Sequence, residues 1–299
     1  MEIVKTQISN LCVRERKTMK QFTTTLLKGR AIDTAALSIS TKEGSALMRN
    51  KTIIAWTDHT FNPWMGCSKV SAGCAHCYAE TQSIRYGRHI WGNTAERVRT
   101  STTWGKVYEC QRDAARGIPG VLGLNRPHLV FTGSLMDWAE DRSDLISIRD
   151  EMWEIIRSCP NLHFQLLTKR PENILKMLPD DWGNGYPNVW LGTSIEDMRV
   201  QERADYLRKV PALVRFISYE PALGSLDDLD IAGIDWVIYG GESGPGYRPE
   251  DKDWAREMRA KCRKTGAAFF HKQSAAPRTE MGIELDGEIV REFPIHKLR

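Results

Sequence analysis

The chain has 299 residues, of which 41% are hydrophobic and 27% charged, a balance that excludes a mini-protein, a collagen-like repeat and a wholly disordered chain. No apolar run approaches the ~18 to 20 residues of a membrane-spanning helix, and residues 1–30 mix charges throughout rather than presenting a secretory signal, so a cytoplasmic protein is expected. The formal net charge is +4, but residues 1–51 hold ten basic and four acidic side chains, giving +6 there and −2 in the remainder; the basic excess belongs to an extension and not to the body of the protein.

Residues 1–47 are rich in Thr, Ser, Lys and Arg, lack Trp and Tyr, and read as a loosely ordered extension with at most a short helix over 8–22. Met48 stands directly before the first strand-like run and would serve as an alternative start. From there, residues 48–299 repeat one grammar: a short β-branched and aromatic run ends in Gly or polar residues and is followed by a helical stretch. The runs fall at 53–56, 128–132, 163–167, 189–192, 214–218, 236–239 and 267–270, with helices over 145–158, 172–177, 198–210 and 252–265. Strands alternating with helices predict βαβ units and a parallel sheet. With about six or seven such units and no linker between them, the expected fold is α/β, a partial or full (β/α) barrel of TIM type.

Polar residues follow the strand runs: Ser134 and Asp137, Lys169 and Arg170, Ser194 and Glu196, Tyr219 and Glu220, Glu242 and Ser243, Lys272 and Gln273. In a parallel barrel the carboxyl ends of the strands meet at one site, so these side chains predict a shared pocket, although Asp137, Ser194 and Ser243 also suit helix caps. The ten tryptophans, Trp64, Trp138, Trp190 and Trp236 among them, are read as core.

Cysteine usage is the sharpest signal. Seven cysteines in a long chain without a signal favour reduced thiols. Cys67, Cys74 and Cys77 form a C-x6-C-x2-C set after the first run and before a helix starting near Ala79, with Gly66 and Gly73 letting the loop curl. Three thiolates leave one iron of a [4Fe-4S] cluster open; a zinc site instead needs a fourth ligand, for which His76 or His59 is placed. Cys12, Cys110, Cys159 and Cys262 read as ordinary thiols.

A three-cysteine loop with an aromatic after its last member, following the first strand of a βα barrel, resembles the radical S-adenosylmethionine superfamily, although six residues stand between the first two cysteines where three are usual. The stretches Trp56-Thr57-Asp58-His59-Thr60-Phe61-Asn62-Pro63-Trp64, Leu166-Leu167-Thr168-Lys169-Arg170-Pro171, Trp190 to Glu196, Ile217 to Pro221 and Gly240 to Gly246 are similar to a bacterial and bacteriophage family of unassigned function. The superfamily resemblance implies that Cys67, Cys74 and Cys77 ligate a [4Fe-4S] cluster whose open iron binds S-adenosyl-L-methionine. Reductive cleavage by an electron donor such as a flavodoxin or ferredoxin would then give a 5'-deoxyadenosyl radical that abstracts hydrogen from substrate. It further implies cofactor contacts at Tyr78, Ser134, Asp137, Ser194, Glu196, Glu220 and the Gly240-Gly241-Glu242 turn. Lys169, Arg170, Arg248 and Lys272 would suit an anionic substrate such as a nucleotide or nucleic acid, and fit equally a salt-bridge network with Glu196, Glu220 and Glu242. The competing expectation is a zinc-stabilised, non-catalytic nucleic-acid-binding module.

Overall fold

The computed structural model describes residues 52–123 and 126–294, which belong to one compact unit. The expected extension over 1–47, its helix over 8–22, Cys12 and Met48 lie outside the described residues. In chain order the elements are β1 (His59–Phe61), β2 (Trp64–Met65), α1 (Tyr78–Arg85), β3 (Val98–Arg99), α2 (Thr102–Ala115), β4 (His128–Thr132), α3 (Ile146–Ser158), β5 (Leu162–Thr168), α4 (Ile174–Met177), β6 (Val189–Ser194), α5 (Glu202–Arg208), β7 (Val214–Tyr219), β8 (Trp236–Gly240), α6 (Lys252–Thr265) and β9 (Ala268–Gln273). Seven strands form one all-parallel sheet in the order β1-β4-β5-β6-β7-β8-β9. The sheet curls into a half-barrel with β1 and β9 as its edges. Strands β2 and β3 pair separately and antiparallel. Among the described residues no helix is long and apolar enough to cross a membrane.

The strict alternation of side chains along a strand sorts the core into two layers. Leu129 and Phe131, Trp190, Val214 and Phe216, Trp236 and Ile238, and Ala268 and Phe270 point to one face, where they pack with Trp56. The intervening residues, among them Val130, Phe164, Leu191, Ile217, Val237 and Phe269, face the helices in a larger cluster. Helix α3 shows why it docks there: its buried residues Arg149, Met152, Trp153 and Ile156 recur at helical spacing and form one stripe. In the inner layer Gly192 makes room for a neighbour, since a Cβ there would stand 2.3 Å from the Phe216 ring. Trp64, Trp138, Trp190 and Trp236 are all fully buried, as expected.

One predicted strand is absent. Residues 53–56 form turns and bends, and the first strand of the sheet is β1, six residues farther on. The reason lies in Thr57 and Asp58. The Thr57 hydroxyl donates to the Leu129 carbonyl and accepts from Phe131 N–H, each at 3.1 Å, while Asp58 Oδ2 accepts from Leu129 N–H at 2.9 Å. The lower part of the β4 edge is thus satisfied by side chains, and Trp56 is released into the inner layer. The expected helix over 198–210 is also shorter, a 3-10 turn at Met198–Val200 preceding α5. The helix expected near Ala79 is α1, whereas α2 and the β2–β3 pair had no counterpart in the sequence reading.

Candidate functional site

The inner row of the sheet continues past the aromatic layer into polar residues. Stepping by two carries Leu167 to Lys169, Trp190 and Gly192 to Ser194, Phe216 to Ser218 and Glu220, and Phe270 to Lys272, so one parity supplies both the apolar floor and the polar rim. Above that floor, at the carboxyl ends of the strands, lies a cavity of about 670 Å3, within the range of sites for small-molecule cofactors. Its wall includes Cys67, Cys74 and Cys77 together with Ser194, Ser218, Glu220 and Lys272. Tyr78, Ser134, Asp137, Lys169, Arg170, Gly241 and Glu242 also line it. Three expected site residues, Glu196, Gly240 and Arg248, stand behind this wall rather than in it.

What those hidden residues do is visible in their hydrogen bonds: the strand-end carboxylates grip the cysteine loop. Glu196 accepts from Ser71 Oγ at 2.8 Å, from Lys169 Nζ at 3.0 Å and from Arg203 Nη1 at 2.9 Å. Gly73 is required by this grip, because a Cβ there would lie 2.3 Å from Glu196 Oε1. Glu242 bonds His76 Nδ1 at 2.9 Å and is clamped by the Arg248 guanidinium, which also donates to the Ala72 carbonyl at 3.0 Å. Asp137 accepts from Arg170 Nη1 at 2.8 Å, and Arg170 Nη2 in turn donates to the Ser68 carbonyl and hydroxyl, each at 2.8 Å. Asp137 Oδ1 takes Thr168 Oγ1 at 2.5 Å and Oδ2 takes Lys169 N–H at 3.0 Å, so both its oxygens are engaged.

The basic residues expected at the mouth are accordingly all paired, in the network that the sequence also allowed: Lys169 with Glu196, Arg170 with Asp137, Arg248 with Glu242, and Lys272 with Glu220 at 2.7 Å. Gly240 serves the last pair, since its missing Cβ leaves space beside the Glu220 carboxylate. Tyr78 is exposed and donates to the Ser134 carbonyl at 2.7 Å, while Ser134 Oγ accepts from Asn62 at 2.8 Å.

Electrostatics follow burial. Burial pushes the Cys67 thiol up to about 12, with Asp137 adding to the rise and Arg170 opposing it. Burial also raises the Cys77 thiol. Burial would raise Glu242 too, but hydrogen bonds from Arg248 and His76 override it and hold the carboxyl near 2. In Glu196 the same contest between burial and the Lys169 and Arg203 charges ends in a lowered value.

The three thiols can be tested as ligands on these surroundings. Each is half-buried, each lines the same cavity, and Cys77 sits at the N-cap of α1, where the helix end favours an anion. A buried thiolate at Cys67 needs a compensating cation, and a metal centre supplies one. Among the described residues no three His, Cys, Asp or Glu side chains converge closely enough to hold one metal ion, but cluster ligands bind different irons and stand farther apart than ligands of one ion. Of the histidines named as a fourth zinc ligand, His59 Nε2 meets His128 at 3.1 Å, while His76 bonds Glu242 through Nδ1, an arrangement that orients its Nε2 as a metal-ligating histidine is oriented. Three thiols lining one cavity are a donor set of the chemistry that iron-sulfur clusters use.

Comparison with known proteins gives one match: residues 51–294 fit the model of a family described as "Protein of unknown function (DUF5131)". The chain belongs to that family. No curated protein and no solved structure matches it. In this DUF5131 protein the sequence reading missed Ser68, Ser71, Arg97, Glu140, Arg203 and Ser218. For Ser68, Ser71, Arg97 and Glu140 the signal was weak because each is an ordinary polar residue whose partner lies far along the chain, as Ser71 and Glu196 do, 125 residues apart. Arg203 and Ser218 have near partners but stand within the expected helix over 198–210 and the run at 214–218 rather than past a strand end.

Proposed function

We propose that this protein is a radical S-adenosylmethionine enzyme on a partial barrel of TIM type, with Cys67, Cys74 and Cys77 holding a [4Fe-4S] cluster. The observation that carries the reading is the gathering of three half-buried cysteines on one wall of a cofactor-sized cavity at the strand ends. Cys67, Cys74 and Cys77 would hold the cluster, which with S-adenosyl-L-methionine and a reducing donor such as a flavodoxin or ferredoxin would supply the radical chemistry for hydrogen abstraction. The chain's own part is to hold and shield. Asp137, Glu196 and Glu242 fix the cysteine loop through Arg170, Ser71 and His76. Trp56, Phe131 and Leu167 close the floor of the cavity against water. Ser194, Ser218, Glu220 and Lys272 line the same cavity, where Lys272 would meet an anionic substrate of the nucleotide or nucleic-acid class.

The test is anaerobic reconstitution of the full chain with iron and sulfide, followed by electron paramagnetic resonance of the reduced protein with and without S-adenosylmethionine. A cluster signal that shifts on adding the cofactor is expected, and replacement of Cys67, Cys74 or Cys77 by Ala singly is expected to strip most of the iron. A colourless protein holding one zinc per chain would sink the reading and leave the zinc-stabilised binding module.

A further inference from the structure

Buried guanidiniums and carboxylates are interlinked around Cys67 and Ser68. Arg97, Arg149 and Arg170 are buried there beside the buried carboxylates Asp137 and Glu140. Arg97 is matched to Glu140 by two bonds of 2.7 Å, from Nε to Oε2 and from Nη2 to Oε1. Arg149 is spent on backbone, donating to the Trp138 and Glu140 carbonyls at 3.0 and 2.7 Å. Arg170 divides itself: Nη1 bonds Asp137 at 2.8 Å and also reaches Cys67 Sγ at 3.7 Å, while Nη2 is fixed by Ser68. Ser68 is locked in its turn, its hydroxyl donating to Glu140 Oε1 at 2.7 Å. Of the three guanidiniums, Arg170 is the one that reaches a cysteine of the loop, with Nη1 3.7 Å from Cys67 Sγ while it stays anchored to Asp137 and Ser68.

We propose that Arg170 is a positioning residue for the metal centre: its guanidinium holds the Cys67 thiolate as a charge-assisted donor and raises the reduction potential of the cluster bound there. This rests on the cluster reading above and adds to it a role for Arg170 other than substrate recognition. A fixed cation beside a ligating sulfur stabilises the state with one more electron, and hydrogen bonds to cluster sulfurs act in the same sense. In the reduction one electron enters from the donor and no covalent bond forms or breaks. The planar fork matters as well as the charge, because Arg170 bonds Asp137, Ser68 and Cys67 together in a way that a lysine ammonium cannot.

The experiment is a redox titration followed by electron paramagnetic resonance on the reconstituted full chain, comparing wild type with Arg170→Gln, Arg170→Lys and Ser68→Ala. With Arg170→Gln the midpoint is expected to fall so that the reduced-to-oxidised ratio at a fixed potential drops at least tenfold, about 59 mV for one electron. Arg170→Lys is expected to restore part of that shift. Ser68→Ala keeps every charge and only loosens the guanidinium, so it should shift the midpoint in the same direction by less, and it serves if Arg170→Gln does not fold. Loaded variants with the wild-type midpoint would overturn the role of Arg170 while leaving the cluster intact. A wild-type chain that binds no iron would overturn the cluster reading and this inference together.

Discussion

Two parts of the cavity wall use the same residue types to opposite ends. Around the cysteine loop, carboxylates are multiply bonded: Arg97 with Glu140, Arg170 with Asp137 and Arg203 with Glu196 have side-chain exposures of 8% or less, while Arg248 and Lys169, on Glu242 and Glu196, keep 30% and 22%. Elsewhere on the wall, Lys272 and Glu220 share a single ion pair and keep exposures of 19% and 16%. Among the described residues Glu220 also has a long contact with Ser218 Oγ at 3.4 Å. A wall that is cross-braced through the βα loops cannot rearrange without leaving buried charges unpaired, so it suits a permanent occupant. A wall with one solvent-reached pair can open it at little expense, which suits a ligand that comes and goes. The difference is one of commitment rather than composition.

The contrast breaks first at its strongest brace. Replacing Arg97 by Met leaves Glu140 buried without its two guanidinium bonds, and loss of one partner of a buried pair typically destabilises by about 3 to 5 kcal/mol. Urea unfolding should show that fall, and the double change Arg97→Met with Glu140→Met should recover much of it because no charge is left stranded. A loss under about 1 kcal/mol, typical of surface pairs, would mean that the cysteine part of the wall is no more braced than the Lys272 part.

A second brace is readable through pH. Glu242 is held near 2 against an ordinary 4.5, so its folded state binds the proton less readily than the unfolded chain does. Its contribution to stability is therefore complete above 4.5 and is lost as pH falls from there toward 2. Comparing urea midpoints of wild type and Glu242→Gln across that window should give a shallower acid decline in the variant, with the two curves converging at the acid end. Parallel curves would show that Arg248 and His76 do not hold this carboxylate in solution.

Much of the fold was legible because the strand runs carry their own period. The runs at 128–132, 189–192, 214–218 and 236–239 all begin where β4, β6, β7 and β8 begin, and the parity of their residues also sets the rim. What misled was local competition. Ile53 to Trp56 is apolar enough for a strand, but Thr57 and Asp58 take the β4 edge with side chains, which no period reveals. Helix α2 was missed because it buries little, only Val107 and Cys110 being fully covered. In the site, the cysteines and strand-end acids were legible as residue types at telling positions. Their assignment was not: Glu196 and Glu242 hold Ser71 and His76 of the cysteine loop, 125 and 166 residues away, and only the folded, curled sheet brings such partners together.

The smallest expected effect is the one that best separates the two parts of the wall. Lys272→Met removes a half-exposed ion pair and leaves Glu220 with access to water, so the unfolding free energy should change by about 1 kcal/mol or less. Bound iron after reconstitution should stay at the wild-type level, since neither Lys272 nor Glu220 touches the cysteine loop in the way Glu196 and Glu242 do. Affinity for a nucleotide probe, measured by calorimetry, should fall instead, because the departing ammonium is a cation that lines the cavity. If Lys272→Met destabilised as much as Arg97→Met, the Lys272 part of the wall would also be structural bracing, and the substrate would have to be sought at the exposed mouth beside Tyr78 and Val70.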